Sequence, residues 1–86
     1  MDGSRDAPAF MLRAVSVAPG AERAYDEHEW RDALVAVTGG EIELEWLSGT
    51  SHRFGRGDLL CLSGLRLRAL SNPGREPALL VAVSRR

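Results

Sequence analysis

The chain is 86 residues long with a formal net charge of −1, a pI near 6.1 and a single cysteine. That length allows one domain, which buries only about 60% of the surface its unfolded chain exposes, and no cysteine pair is present to staple it. The near-neutral balance excludes the basic footprint of a nucleic-acid binder or of a protein drawn to an anionic membrane. All eleven basic residues are arginine. Residues 1–47 hold ten acids and four arginines, or −6, and residues 48–86 hold two acids and seven arginines, or +5. Because these charges are interspersed with apolar residues at strand spacing, they describe two halves that pair, not an interaction tail.

Residues 1–8, Met1-Asp2-Gly3-Ser4-Arg5-Asp6-Ala7-Pro8, are polar and lack the apolar segment of a signal peptide. They are expected to be a flexible tail, with 9–86 as the single domain. No apolar run approaches the roughly 20 residues of a membrane helix, so a cytoplasmic protein with neither membrane nor nucleic-acid partner is expected. Ala9 to Val17, stopped by Pro19-Gly20, predicts a first strand. Glu29 to Thr38 leads into Ala33-Leu34-Val35-Ala36-Val37 and ends at Gly39-Gly40. Glu41-Ile42-Glu43-Leu44-Glu45-Trp46 then alternates acid and apolar with a strict period of two. This predicts a strand with Ile42, Leu44 and Trp46 inward and the three glutamates outward.

Ser48-Gly49-Thr50-Ser51 and Gly55-Arg56-Gly57-Asp58 predict turns, with His52 solvated and Arg56-Gly57-Asp58 a β-turn and not an adhesion signal. Leu59 to Leu62 and Leu65 to Leu70 predict strands, Asn72-Pro73-Gly74 a turn, and Ala78 to Val83 a last strand. Cys61, inside an apolar run, is expected to be a small buried hydrophobe. Six to eight short strands with no helix predict an all-β sandwich, jelly roll or small barrel.

Two glycine-framed segments resemble the cupin superfamily. In the first, five residues separate Gly20 from Asp26, Glu27 and His28, four more lead to Ala33, and six more to Gly40. In the second, Gly57 is followed by Ser63, Leu65, Arg68 and Asn72 at the spacing of the cupin proline, glycine, histidine and asparagine. The Gly57-Asp58 pair and the turn from Asn72 to Gly74 are also similar to small cupins, and the resemblance spans Gly20 to Val83.

The resemblance implies a double-stranded β-helix, a jelly-roll barrel. It also implies that the family's metal-ligand positions, three histidines and a glutamate, read Asp26, His28, Ala33 and Arg68 here. Ala33 has no donor and Arg68 is a permanent cation, so no cofactor is expected. A divalent metal on Asp26 and His28, with a third ligand from Glu27 or Glu29, is the alternative. Asp26, His28, Trp30 and Arg68 are the expected ligand-binding residues, with Asp26 and His28 sharing a strand face, Trp30 walling the pocket and Arg68 beside Asp26 in one cavity.

The leading functional expectation is a metal-free small-molecule-binding or accessory module. One alternative is a cupin-type enzyme, either an epimerase- or cyclase-like proton transfer at His28 and Asp26 or a metal-dependent oxygenase. Another is a structural unit whose barrel is filled by its own side chains. A chain this short with exposed sheet edges is further expected to form a homodimer through the strand from Phe10 to Val17.

Overall fold

A computed structural model describes residues 10–85; the expected tail over residues 1–8 lies outside them. Strands β1 (Phe10–Val17) and β2 (Glu22–Ala24) are followed by one helical turn, α1 (Glu27–Trp30). Then come β3 (Leu34–Gly39), β4 (Glu41–Trp46), β5 (Ser51–Gly55), β6 (Leu59–Cys61), β7 (Leu67–Ser71) and β8 (Ala78–Arg85). They form two four-stranded sheets, β1-β8-β3-β6 and β2-β7-β4-β5, antiparallel throughout. This is the expected all-β jelly roll. Among the described residues no helix is long and apolar enough to cross a membrane.

Period-two alternation carries the packing. On β4, Ile42 and Leu44 are fully buried and Trp46 packs against them from a half-buried position, while Glu41, Glu43 and Glu45 look outward. The opposite sheet contributes Val15, Val17, Val35, Val37, Leu60, Leu80 and Ala82 to the same core. Each such valine, leucine or isoleucine side chain contributes roughly 1.5–3 kcal/mol when removed from water. Alternation also corrects the expectation for Cys61. Leu60 and Leu62 turn inward, so Cys61 between them is exposed, together with Leu59.

Two further local expectations change, and one short strand is added. Asp26 to Trp30 is a capped helical turn and not the approach to a strand. Glu22–Ala24 is a short strand paired with β7, held there by its neighbours and not by its own three residues. His52 belongs to strand β5, exposed but with its ring edge-on to Trp46 at 5.5 Å.

Two tight points join the sheets. Gly40 sits at φ +68 in the turn between β3 and β4, where an added Cβ would lie 2.4 Å from the Pro77 carbonyl oxygen. Nearby, Asn72 is the one buried polar residue among the described residues. Its amide Nδ2 donates to the Val17 carbonyl at 2.9 Å and the Glu76 carbonyl at 2.7 Å, and its Oδ1 accepts from Gly74 N at 2.8 Å. Leaving buried polar groups unpaired costs about 1–3 kcal/mol each, so Asn72→Ala is expected to lose about 2–4 kcal/mol in urea unfolding. A loss under about 1 kcal/mol would show that the two turns close without this amide.

Candidate functional site

The segment expected to supply the site begins with a helix cap. Asp26 is extended (φ −120, ψ 111) and its carboxylate accepts from His28 N at 3.0 Å, while Glu27 and Glu29 place negative charge in the first turn. Those residue types favour a helix N-terminus, and this pattern in Asp26-Glu27-His28-Glu29 was the legible signal for the turn. Helical spacing separates side chains that a strand would align. Asp26 and His28 are therefore both exposed and do not share a strand face, while Trp30 turns away from them into the core, 0% exposed. The expected pocket wall is a core residue.

Trp30 is held from outside by charge. The Arg13 guanidinium lies 4.8 Å from its ring centroid and donates to Glu29 Oε2 at 2.8 Å and to the Glu29 carbonyl at 2.9 Å. Arg23 pairs with the same carboxylate. Glu29, the spare ligand in the metal alternative, is thus neutralised by two arginines. The indole Nε1 of Trp30 is buried without a hydrogen-bond partner among the described residues.

Arg68 is not beside Asp26. Between β4 and β7 the register shifts: Glu45 faces Ala69, but Trp46 faces Leu67, leaving Arg68 as the extra residue. Such a bulge breaks alternation, so Leu67 and Leu70 both face the core while Arg68 stands outside. There it pairs with Glu45 and reaches Glu22 at 3.6 Å. The expected compensation between Arg68 and Asp26 in one cavity is therefore corrected to ion pairs on the outer face of the sheet.

The residues at the family's ligand positions do not fit a metal. Asp26 is engaged as a cap, His28 points to solvent, Ala33 lies in the core with no donor atom, and Arg68 faces outward. Among the described residues no group of three or more His, Cys, Asp or Glu side chains comes together in a way that could hold an ion. The proton-transfer couple is not assembled around a cavity either. Between the sheets, Trp30, Ala33, Leu62 and Leu67 fill the space with apolar side chains.

Concavity lies at the rim instead. At the end of β4 a groove of about 570 Å³ is lined by Trp46, Leu47, Ser48, Gly64, Leu65 and Arg66. It shares Leu47, Leu65 and Arg66 with a second hollow of about 490 Å³ that adds Tyr25, Glu27 and Leu67. Backbone bonding fixes the two walls, with Leu47 N donating to the Arg66 carbonyl at 2.8 Å and Leu65 N to the Leu62 carbonyl at 3.1 Å. Burial, with the Glu27 and Asp26 carboxylates adding to it, raises the Tyr25 phenol above its usual value near 10.0, so it remains a neutral donor. Apolar walls with a few polar groups are the make-up of a small-molecule site. The clue in the sequence was Trp46-Leu47, two adjacent apolar residues ending a strict alternation, one of which must face water.

Two outcomes follow. Trp30→Ala is expected to cost about 3–5 kcal/mol in urea unfolding, as large aromatic truncations in cores do, against about 1 kcal/mol for Asp26→Ala as a lost cap. Equal losses would mean that Asp26 has a buried partner. The hydrogen bond from Arg68 holds the Glu45 carboxyl below its usual 4.5. A depressed folded-state pKa stabilises above the unfolded value and is lost as pH falls through the folded one. Arg68→Ala is therefore expected to lower the neutral-pH unfolding midpoint only slightly, since water screens an exposed pair, and to flatten the loss of stability below pH 4.5 by that same small amount. A large neutral-pH loss would contradict the surface placement.

No protein-family model matches the chain, and no curated protein does. Solved structures do. A cupin 2 conserved barrel domain protein from Salinispora arenicola aligns at 28% identity with a TM-score of 0.69, over 87% of this chain and 61% of its own. The cupin 2 domain of an XRE-family transcriptional regulator from Enterobacter cloacae aligns at 22% identity with a TM-score of 0.70, over 91% of this chain and 82% of its own. A cupin-superfamily sugar phosphate isomerase from Silicibacter pomeroyi aligns at 25% identity with a TM-score of 0.69, over 98% of this chain and 55% of its own. The chain thus spans about three fifths of the Salinispora protein and just over half of the Silicibacter one. With two facing antiparallel sheets in the order described and neighbours of this kind, the chain has the cupin fold.

Proposed function

We propose that the chain is a metal-free binding module whose ligand lies in the rim groove and not inside the barrel. The observation that carries this reading is the continuity of the two hollows across Leu47, Leu65 and Arg66. Apolar surface from Trp46, Leu47 and Leu65 meets there a guanidinium on one side and the Tyr25 phenol and Glu27 carboxylate on the other. The filled interior supports the same reading, because it leaves the rim as the place where a small molecule exchanges water for protein.

The chemistry selects a ligand class. A flat or aliphatic body covers Trp46 and the leucines, and a carboxylate or similar anion receives the Arg66 fork. A hydroxyl or ammonium group on the same molecule finds Glu27. Sites of this openness bind weakly, with Kd values on the order of millimolar to micromolar for small ligands.

Titrating benzoate and hexanoate, each beside its uncharged amide, into isotope-labelled protein tests the proposal by NMR. Shifts are expected at Tyr25, Leu47, Leu65, Arg66 and the Trp46 indole. Arg66→Ala should weaken the carboxylates by about tenfold or more and leave the amides unchanged, since a charge-assisted hydrogen bond is worth roughly 1.5–3 kcal/mol. Trp46→Ala should weaken both. Shifts scattered over the surface, or centred on the Trp30 indole, would refute a rim site.

A further inference from the structure

Charge on this molecule is sorted by surface. The outer face of the sheet β1-β8-β3-β6 is apolar, with register rows running Leu12, Val83, Leu34, Cys61 and Ala14, Val81, Ala36, Leu59. The outer face of the other sheet carries Glu22, Glu43, Glu45, Arg53 and Arg68, all joined in ion pairs. A third charged group belongs to neither face. Glu41, Arg75 and Glu76 line a hollow of about 490 Å³ with Gly40 and Gly74, where the turn between β3 and β4 meets the turn between β7 and β8. These three side chains are exposed, and no ion pair joins them to one another.

The hollow is shaped from within the fold. Asn72 is 1% exposed, and it donates to the Glu76 carbonyl and accepts from Gly74 N, so a buried amide fixes the turn that carries Arg75. A Cβ on Gly74 would lie 3.3 Å from Asn72 Oδ1 and 3.7 Å from Glu41 Oε1. The Glu41 carboxylate therefore reaches from the start of β4 across to the β7–β8 turn, over a residue with no side chain to block it. No apolar side chain lines the hollow, so charge is what it can recognise. Its volume falls within the roughly 300–1,000 Å³ of small-molecule sites.

We infer that this hollow is a second binding site, for a small zwitterion that carries an amine and a carboxylate on one short chain. The ammonium group goes to the Glu41 and Glu76 carboxylates, and the ligand carboxylate receives the Arg75 guanidinium. Elsewhere on this chain opposite charges close on each other, as Arg53 does on Glu43 and Arg68 on Glu45. Around the hollow they stay apart, which leaves both signs open to a complementary pair. An anion alone meets two carboxylates against one arginine, and a cation alone meets the arginine as well. A zwitterion satisfies both. The turn is fixed before the ligand arrives, which lowers the ordering cost of binding. Glu41 opens β4 and Trp46 ends it, about 17 Å away at about 3.4 Å per residue, so this site and the rim groove stand or fall independently.

The test is an NMR titration of the isotope-labelled full chain at constant ionic strength. Glycine, 4-aminobutanoate and 6-aminohexanoate carry both charges at increasing separation, and acetate and ethylammonium carry one each. At least one zwitterion is expected to shift the backbone amides of Gly40, Glu41, Gly74, Arg75 and Glu76 together. It should bind about fivefold or more tightly than either one-charge ion, the factor that one further exposed ion pair carries. Glu41→Gln and Arg75→Gln should each weaken it by about fivefold, while Arg53→Gln, the same loss of charge elsewhere, should change nothing. Should a variant lose its strands, the ratio of zwitterion to one-charge ion for the unaltered chain decides. Acetate or ethylammonium binding as tightly as every zwitterion reduces the hollow to separate ion contacts and overturns the proposal. So does binding that both substitutions leave unchanged, and so do zwitterion shifts confined to Tyr25, Leu47, Leu65 and Arg66, which would assign the molecule to the rim groove.

Discussion

Five hydrogen bonds converge on Asn72, and the joining of the two sheets depends on them. Its side chain ties the end of β1 at Val17 to the turn before β8 through Glu76 and Gly74. Its backbone accepts from Gly20 N and donates to the Ala21 carbonyl at the start of β2. One buried amide thus fixes where the chain leaves the first sheet and enters the second, and where it returns. An apolar residue of similar size would fill the space but leave Val17 O, Glu76 O and Gly74 N without partners. The Gly40 turn closes against Pro77 beside it, where no side chain fits. With those ends fixed, β4 and β7 pair in one sheet while β3 and β8 pair in the other.

The strands that alternate cleanly were legible. Glu41 to Trp46 shows one wet and one dry face, and Ile42 and Leu44 lie where that pattern puts them. The glycine-framed segments led to the right fold because turns at Gly20, Gly40 and Gly57 do adopt the left-handed backbone that glycine permits. The site was less legible, because side-chain direction in a strand reverses with every residue. A helical turn at Glu27–Trp30 rotated Trp30 inward and left Asp26 and His28 outside. One extra residue in β7 moved Arg68 from barrel to surface. Neither event alters composition or spacing, and both depend on contacts with residues far along the chain. The acid-rich first turn after Asp26 was the local warning of the first. The break of alternation at Ala69-Leu70 was that of the second.

The interior of this chain is closed by an aromatic core residue braced by charge. Trp30 supplies a large apolar area, and Arg13 lies over its ring at a distance suited to a cation–π contact. Glu29 keeps that arginine in place and is itself shared with Arg23. Among the described residues the buried indole N–H has no partner, a cost of about 1–3 kcal/mol that the burial of the ring and its contacts offset. With the interior closed in this way, concave surface lies at the rim, where Tyr25, Trp46 and Arg66 gather around surface that water still reaches.

The two outer faces differ so sharply that dissolved salt acts on them in opposite directions. Simple salts screen the exposed pairs formed by Glu22, Glu43, Glu45, Arg53 and Arg68 within a Debye length of about 10 Å at 0.1 M. Salts excluded from protein surfaces, such as sulfate, strengthen the burial of apolar area, which is what the rows through Leu34 and Val81 present. Rising sulfate therefore loosens the surface bonding of one sheet while raising the cost of leaving the other in water, and the net charge of −1 does little to keep copies apart. Solubility in this protein is a property of one face, and a single charge placed in the Leu12–Leu34 row would change it more than several placed among the ion pairs.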